Sequence, residues 1–146
     1  MRAISCVAAV LIVAVGVRAE DAADARKAVV GKWKLVGFER GGIGQPDRLL
    51  PTGAMTFDKD GGFTGSFPDH EMGGTVTIDP TRTPAAMDFA HAKEPDKGKT
   101  MRGIYKVEGN KLTLCAAPPG RAAKDRPTTF ATKGTDNVLF VFERAK

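Results

Sequence analysis

Apolar and polar residues alternate most cleanly from Thr100 to Cys115, T-M-R-G-I-Y-K-V-E-G-N-K-L-T-L-C. Two alternating runs flank Gly109-Asn110, whose leading glycine suits the positive φ of a type II′ turn, so the stretch is predicted to be a β-hairpin. Counting outward from the turn pairs Glu108 with Lys111, Val107 with Leu112, Tyr105 with Leu114, Ile104 with Cys115 and Gly103 with Ala116. One face then carries Met101, Gly103, Tyr105, Val107, Leu112, Leu114 and Ala116 and is the expected core face. Gly103 opposite Ala116 is a small-residue step in that face, either a bend or room for another molecule.

Similar runs recur along the chain. Lys32 to Arg40 is apolar on both faces, Trp33 and Leu35 on one and Val36 and Phe38 on the other. Asn137 to Arg144 repeats this property, with Val138, Phe140 and Phe142 opposed to Leu139 and Val141. Both faces of such strands must be covered, and their places at the two ends predict that the ends meet and close a barrel. Between them, Ala54 to Asp58 carries Met55 and Phe57, and Lys59-Asp60-Gly61-Gly62 turns the chain into Phe63 to Phe67. Gly74 to Asp79 carries Val76 and Ile78, Ala86 to Ala90 places Met87 and Phe89 on one face, and Pro127 to Lys133 is a further strand with Phe130 as its large apolar residue. Glu20 to Val30, alanine-rich with acids early, bases late and Gly31 as a stop, is a predicted short helix docking through Ala25, Val29 and Val30 over the outside of the seam. The expected fold is all-β, an antiparallel up-and-down barrel of about eight to nine strands with a short N-terminal helix.

Composition adds a compartment. Met1 to Ala19 has one early arginine, an apolar run from Ala3 to Val17 and a small residue at its end, the pattern of a secretory signal peptide cleaved after Ala19. The division is therefore a signal peptide over 1–19, a short helix over 20–30 and one barrel domain over 31–146, exported to the periplasm or the extracellular space. No membrane span is expected in the mature chain, and a monomer is the default. Removing Arg2 and Arg18 with the leader takes the 22 bases to 20 against 17 acids, a net of +3. Those bases are dispersed, which argues against a nucleic-acid partner. Cys6 leaves with the leader, so Cys115 stands alone and no internal disulfide can form; in an alternating strand it is a small buried hydrophobe.

Candidate chemistry is sparse. Asp69-His70-Glu71 is a dense acid and histidine cluster, but successive residues of an extended chain point to opposite faces, so it reads as a hairpin loop rather than a metal site. His91 continues the face of Met87 and Phe89 and is expected half-exposed at a strand end. No nucleophile elbow, phosphate loop or distinctive carboxylate pair is present, so no catalytic residue, metal ligand set or cofactor is assigned and no enzyme is expected.

Gly31-Lys32-Trp33 looks like the glycine, any residue, tryptophan signature of lipocalin barrels, in which the tryptophan plugs the closed end and a basic residue of the last strand packs across it; Arg144 is the matching residue. The wider series Trp33-Lys34-Leu35-Val36, Asp96-Lys97-Gly98-Lys99, Gly103-Ile104-Tyr105, Gly109-Asn110, Leu112, Leu114-Cys115, Pro119-Gly120, Arg126-Pro127 and Phe130 resembles a family of small secreted lipocalin-like domains of unknown function, abundant in planctomycete bacteria. The resemblance spans about Val29 to Arg144 and implies a lipocalin-like barrel and an exported protein. The chain departs from it at Gly41-Gly42-Ile43-Gly44 and in the loop from Pro118 to Arg126. A barrel of this size can hold one small apolar molecule, and its candidate interior is Trp33, Leu35, Met55, Phe57, Gly103, Tyr105, Leu114 and Phe130. The alternative is a filled barrel whose loops, Gly41 to Leu50 and Pro118 to Arg126, meet an envelope or extracellular protein.

Overall fold

The computed structural model describes residues 19–46 and 52–146, with side chains from residue 22 onward. The leader up to Arg18, and with it Cys6, lies outside the described residues, as do residues 47–50 of the loop from Gly41 to Leu50 and Pro51 after it. The central hairpin forms as counted: β7 (Thr100–Glu108) and β8 (Lys111–Ala116) pair Glu108 with Lys111, Tyr105 with Leu114 and Gly103 with Ala116. Gly109 has φ +60° and Asn110 no positive φ, the signs that a type II′ turn requires.

The other strands are β1 (Gly31–Arg40), β2 (Ile43–Gly44), β3 (Ala54–Phe57), β4 (Gly62–Ser66), β5 (Glu71–Asp79), β6 (Ala86–His91) and β9 (Val138–Arg144). Every neighbour is antiparallel, and β1 pairs with both β3 and β9. Eight strands thus close into a barrel, with β2 as an additional two-residue partner of β1. The expected strand over Pro127 to Lys133 does not form; this segment belongs to a loop with a single 3-10 turn at Ala123–Asp125. The count of nine survives because β2 takes its place.

The two-faced apolar pattern of β1 has a cause that alternation alone misses. A bulge between Leu35 and Gly37 inserts one residue, so Leu35 pairs with Phe142 while Phe38 pairs with Phe140. Phe38 is therefore on the same inner face as Leu35, not opposite it, and packs edge-on against Phe140 with ring centroids 5.5 Å apart. On β9 the inner face is Phe140 and Phe142, as alternation predicts.

The outside of the seam is covered by the β8–β9 loop rather than by the helix. Thr132, fully buried, donates to Glu39 Oε1 at 2.6 Å and accepts from the Gly42 N–H at 2.9 Å. Arg126 grips Asp88 with both terminal guanidinium nitrogens, and Nη1 also donates to the Gly103 carbonyl at 2.9 Å, clamping the loop across β6 and β7. This cover explains why Ile104, Thr113 and Cys115 on the outer face are buried as completely as the core. It also displaces Phe130, whose half-buried ring lies under the Lys106 ammonium at 5.1 Å on the outer surface.

The helix α1 (Ala19–Val29) lies across one end of the barrel. Its Val29 enters the core cluster, Ala25 and Val30 are half-buried, and it reaches from β1 to β5 on the far wall. The last carbonyls of a helix have no partner within it. Here Trp33 Nε1 donates to the Val29 carbonyl at 2.7 Å, and Arg144 donates to those of Ala28 and Val30 at 2.7 and 2.8 Å. The Arg144 guanidinium, placed where a helix C-terminus favours a cation, lies 4.2 Å from the centre of the Trp33 ring. The tryptophan plug and its basic partner are thus present as the sequence pattern implies, and they seal this end.

Candidate functional site

Above the sealed end the interior is solid. Trp33, Met55, Phe57, Phe63, Met87, Phe89, Leu112, Leu114 and Phe142 are all 2% exposed or less. Phe89 is wedged between Phe57 and Phe63, with centroids 6.1 and 5.0 Å away. Tyr105 belongs to this packed half, and its hydroxyl resists ionisation more than an ordinary phenol because burial and then the charge of Asp79 disfavour the phenolate.

At the opposite end, where β1 finishes and β8 leads into its long loop, the packing stops. A cavity of about 590 Å³ is walled by Leu35, Phe38, Phe67, Met72, Met101 and Phe140, with Ala116 and Val138 behind them and His91 beside the methionines. Its rim carries Arg40, Asp69 and His70, which are exposed, and half-buried Asp96. Both rim carboxylates are engaged: Asp69 with His70 at 2.7 Å, and Asp96 with Lys99 at 3.3 Å. The hydrogen bond from His70 holds the Asp69 carboxyl below its usual range. Asp69 and His70 do lie in a hairpin turn, closed by reciprocal backbone bonds between Phe67 and His70 whose rings stack at 5.2 Å, and Glu71 opens β5.

Of the candidate interior residues, Leu35 alone lines this cavity. Trp33, Met55, Phe57, Tyr105 and Leu114 lie in the packed half, and Phe130 is outside the barrel. Gly103 is not beside a void: a Cβ there would stand 2.9 Å from the Cys115 carbonyl oxygen and 3.0 Å from Leu114 Cδ1. Nor does Gly65 deepen the space, since Met72 and Phe67 already occupy the place of its missing side chain. The partner of Gly103 in the small-residue step, Ala116, does face the cavity.

Residues overlooked by pattern reading are Phe38, Phe67, Met72, His91, Met101 and Phe140. A usable signal was present, because Trp33 marks the sealed end and inward positions farthest from it along each strand must line the other end. His91 differs most from expectation. It ends β6, but it is only 5% exposed. Gly74 stands opposite it on β5, where any Cβ would run into the Ala90 carbonyl, and this bare backbone lets the imidazole pack edge-on against Phe63 at 5.7 Å. Burial lowers its pKa, with Lys99 adding to the effect and Asp96 opposing it, so the ring is neutral at pH 7. Its Nε2 is buried without a hydrogen-bond partner.

Among the described residues no group of three or more His, Cys, Asp or Glu side chains could hold a metal ion. Among them also no helix is long and apolar enough to cross a membrane. Cys115 is fully buried, and desolvation together with Glu39 pushes its thiol up to about 11. No protein-family model matches the chain, and no curated protein matches it. Among solved structures the chain is similar to a DUF4847 family protein from Bacteroides vulgatus ATCC 8482, at 18% identity and a TM-score of 0.47, over 81% of this chain and 94% of that one.

Proposed function

We propose that this protein is an exported, lipocalin-like binder that holds one small, mostly apolar molecule in the unsealed half of its barrel, with no catalysis and no cofactor. The observation that carries the reading is the 590 Å³ cavity, walled by aliphatic, aromatic and thioether side chains in a barrel whose other half is packed solid. Ligand sites have this character, apolar walls with few polar groups, and an eight-stranded barrel has room for one such ligand. The Trp33 and Arg144 plug supports the lipocalin-like assignment, and the apolar leader supports export. Intact mass of exported protein, expected to start at Glu20, tests the latter.

The binding reading is tested with the neutral dye N-phenylnaphthylamine, whose emission rises on leaving water. Wild-type protein should bind it saturably, and Ala116→Leu, which adds a side chain into the cavity, should weaken binding while the protein stays folded. No saturable binding to the wild type rejects the proposal. A second reading has one observation in its favour: Ile43, at the tip of the β1–β2 hairpin, is 70% exposed, the one large apolar side chain so placed among the described residues. An envelope or extracellular partner seated there would be lost in Ile43→Asp, a change that should leave dye binding intact.

A further inference from the structure

Inside its charged rim the cavity wall carries one polar side chain. His91 lies on its wall at the mouth end of β6, with Met72 of β5 one residue pair nearer the mouth and Met101 of β7 one pair deeper on the same face. Its Nε2 reaches no donor or acceptor of the protein. A buried polar atom without a partner costs about 1–3 kcal/mol, so the fold maintains this nitrogen at a loss that an occupant could recover. Nε2 has no open surface in the cavity, so an occupant reaches it when the flexible side chain of Met72, next toward the mouth, swings aside.

We infer that the cavity's occupant is an uncharged apolar molecule bearing a hydroxyl group, an alcohol or phenol, whose hydroxyl pairs with Nε2 of His91. The inference rests on reading the cavity as a ligand site. A hydroxyl both donates and accepts, so it satisfies Nε2 in either tautomer of the neutral ring. A carboxylate fits poorly. The ring is held neutral by its burial, the deep walls carry no cation, and Arg40 is out at the exposed rim. An ammonium group fits poorly too, because the rim carboxylates of Asp69 and Asp96 are already paired with His70 and Lys99 and the deep cavity offers no counter-charge.

The test uses full-length mature protein, N-phenylnaphthylamine as reporter, and n-decanol and n-decanoate as competitors with equal chains at pH 7.5. Decanol should displace the dye at least about tenfold more effectively than decanoate. In His91→Leu the affinity for decanol should fall about tenfold while dye affinity is retained, the scale of one neutral hydrogen bond. In wild-type protein the nitrogen resonance of His91 Nε2 should shift on adding decanol. Decanoate competing as well as decanol, His91→Leu binding decanol as tightly as wild type, or an unmoved Nε2 resonance overturns the assignment. Should His91→Leu fail to fold, the competitor comparison and the wild-type resonance decide. Dye bound without these preferences refutes the role of His91 alone, whereas a protein that takes up neither dye nor decanol refutes the ligand-site reading with it.

Discussion

Replacing Trp33 should reveal how much of the fold depends on its sealed end. The side chain is fully buried between β3, β9 and the end of α1. An indole removes about 200 Å² from water, which at ~25 cal/mol per Å² is worth about 5 kcal/mol. Measured large-to-small changes of this kind cost about 3–5 kcal/mol, so Trp33→Ala should consume about a fifth or more of an ordinary domain's stability of about 5–15 kcal/mol. Trp33→Phe keeps most of the apolar volume but loses the N–H that meets the Val29 carbonyl at 2.7 Å, and should cost about 1–3 kcal/mol. Arg144→Ala removes the cation 4.2 Å above the ring and uncaps the Ala28 and Val30 carbonyls, for about 2 kcal/mol. The double variant Trp33→Ala with Arg144→Ala should lose about 1 kcal/mol less than the sum of the two, because the groups touch. Urea unfolding followed by far-UV circular dichroism measures all four, with unchanged m-values as the check on two-state behaviour. Strict additivity would remove the cation–π contact from the account, and a Trp33→Ala cost below about 1 kcal/mol would refute the plug itself.

Three further outcomes follow from the same packing. Gly103→Ala should destabilise by about 1–3 kcal/mol, since its Cβ would crowd the Cys115 carbonyl oxygen at 2.9 Å; a neutral melting-temperature change would mean that strand can shift. Cys115, with its thiol pushed up to about 11 and no exposure, should resist maleimide labelling at pH 8 in the native protein and react once unfolded; equal rates in both states would refute the loop cover over β8. His91 has a folded pKa below its ordinary 6.5, so the unfolded chain takes up the proton first: its contribution is complete above pH 6.5 and is lost as pH falls below it. His91→Leu should flatten that part of the stability profile relative to wild type, and an identical slope in both proteins would show that His91 is not the group responsible.

The local chemistry of the chain determined the hairpin register, the type II′ turn, the short helix and the tryptophan plug, because each depends on residues whose spacing and backbone preferences are set within one or two elements. Glu108 meets Lys111 and Tyr105 meets Leu114 for the same reason that Gly109 takes φ +60°: a two-residue turn admits one pairing. Barrel closure was legible as well, since two-faced apolar strands at both ends have to cover each other. Three things were decided only in three dimensions. The bulge after Leu35 turned Phe38 inward, and alternation carries no mark of a residue inserted against a distant partner strand. The loop after Ala117 covered the seam and carried Phe130 outside, because its clamp on Asp88 and Glu39 joins positions far apart in sequence. The cavity lies at the end away from Trp33, since Gly103 and Gly65 are filled by neighbours while the inward positions near the mouth run out of partners. A void is a property of how side chains from several strands meet, and no single strand's pattern records how far its neighbours reach.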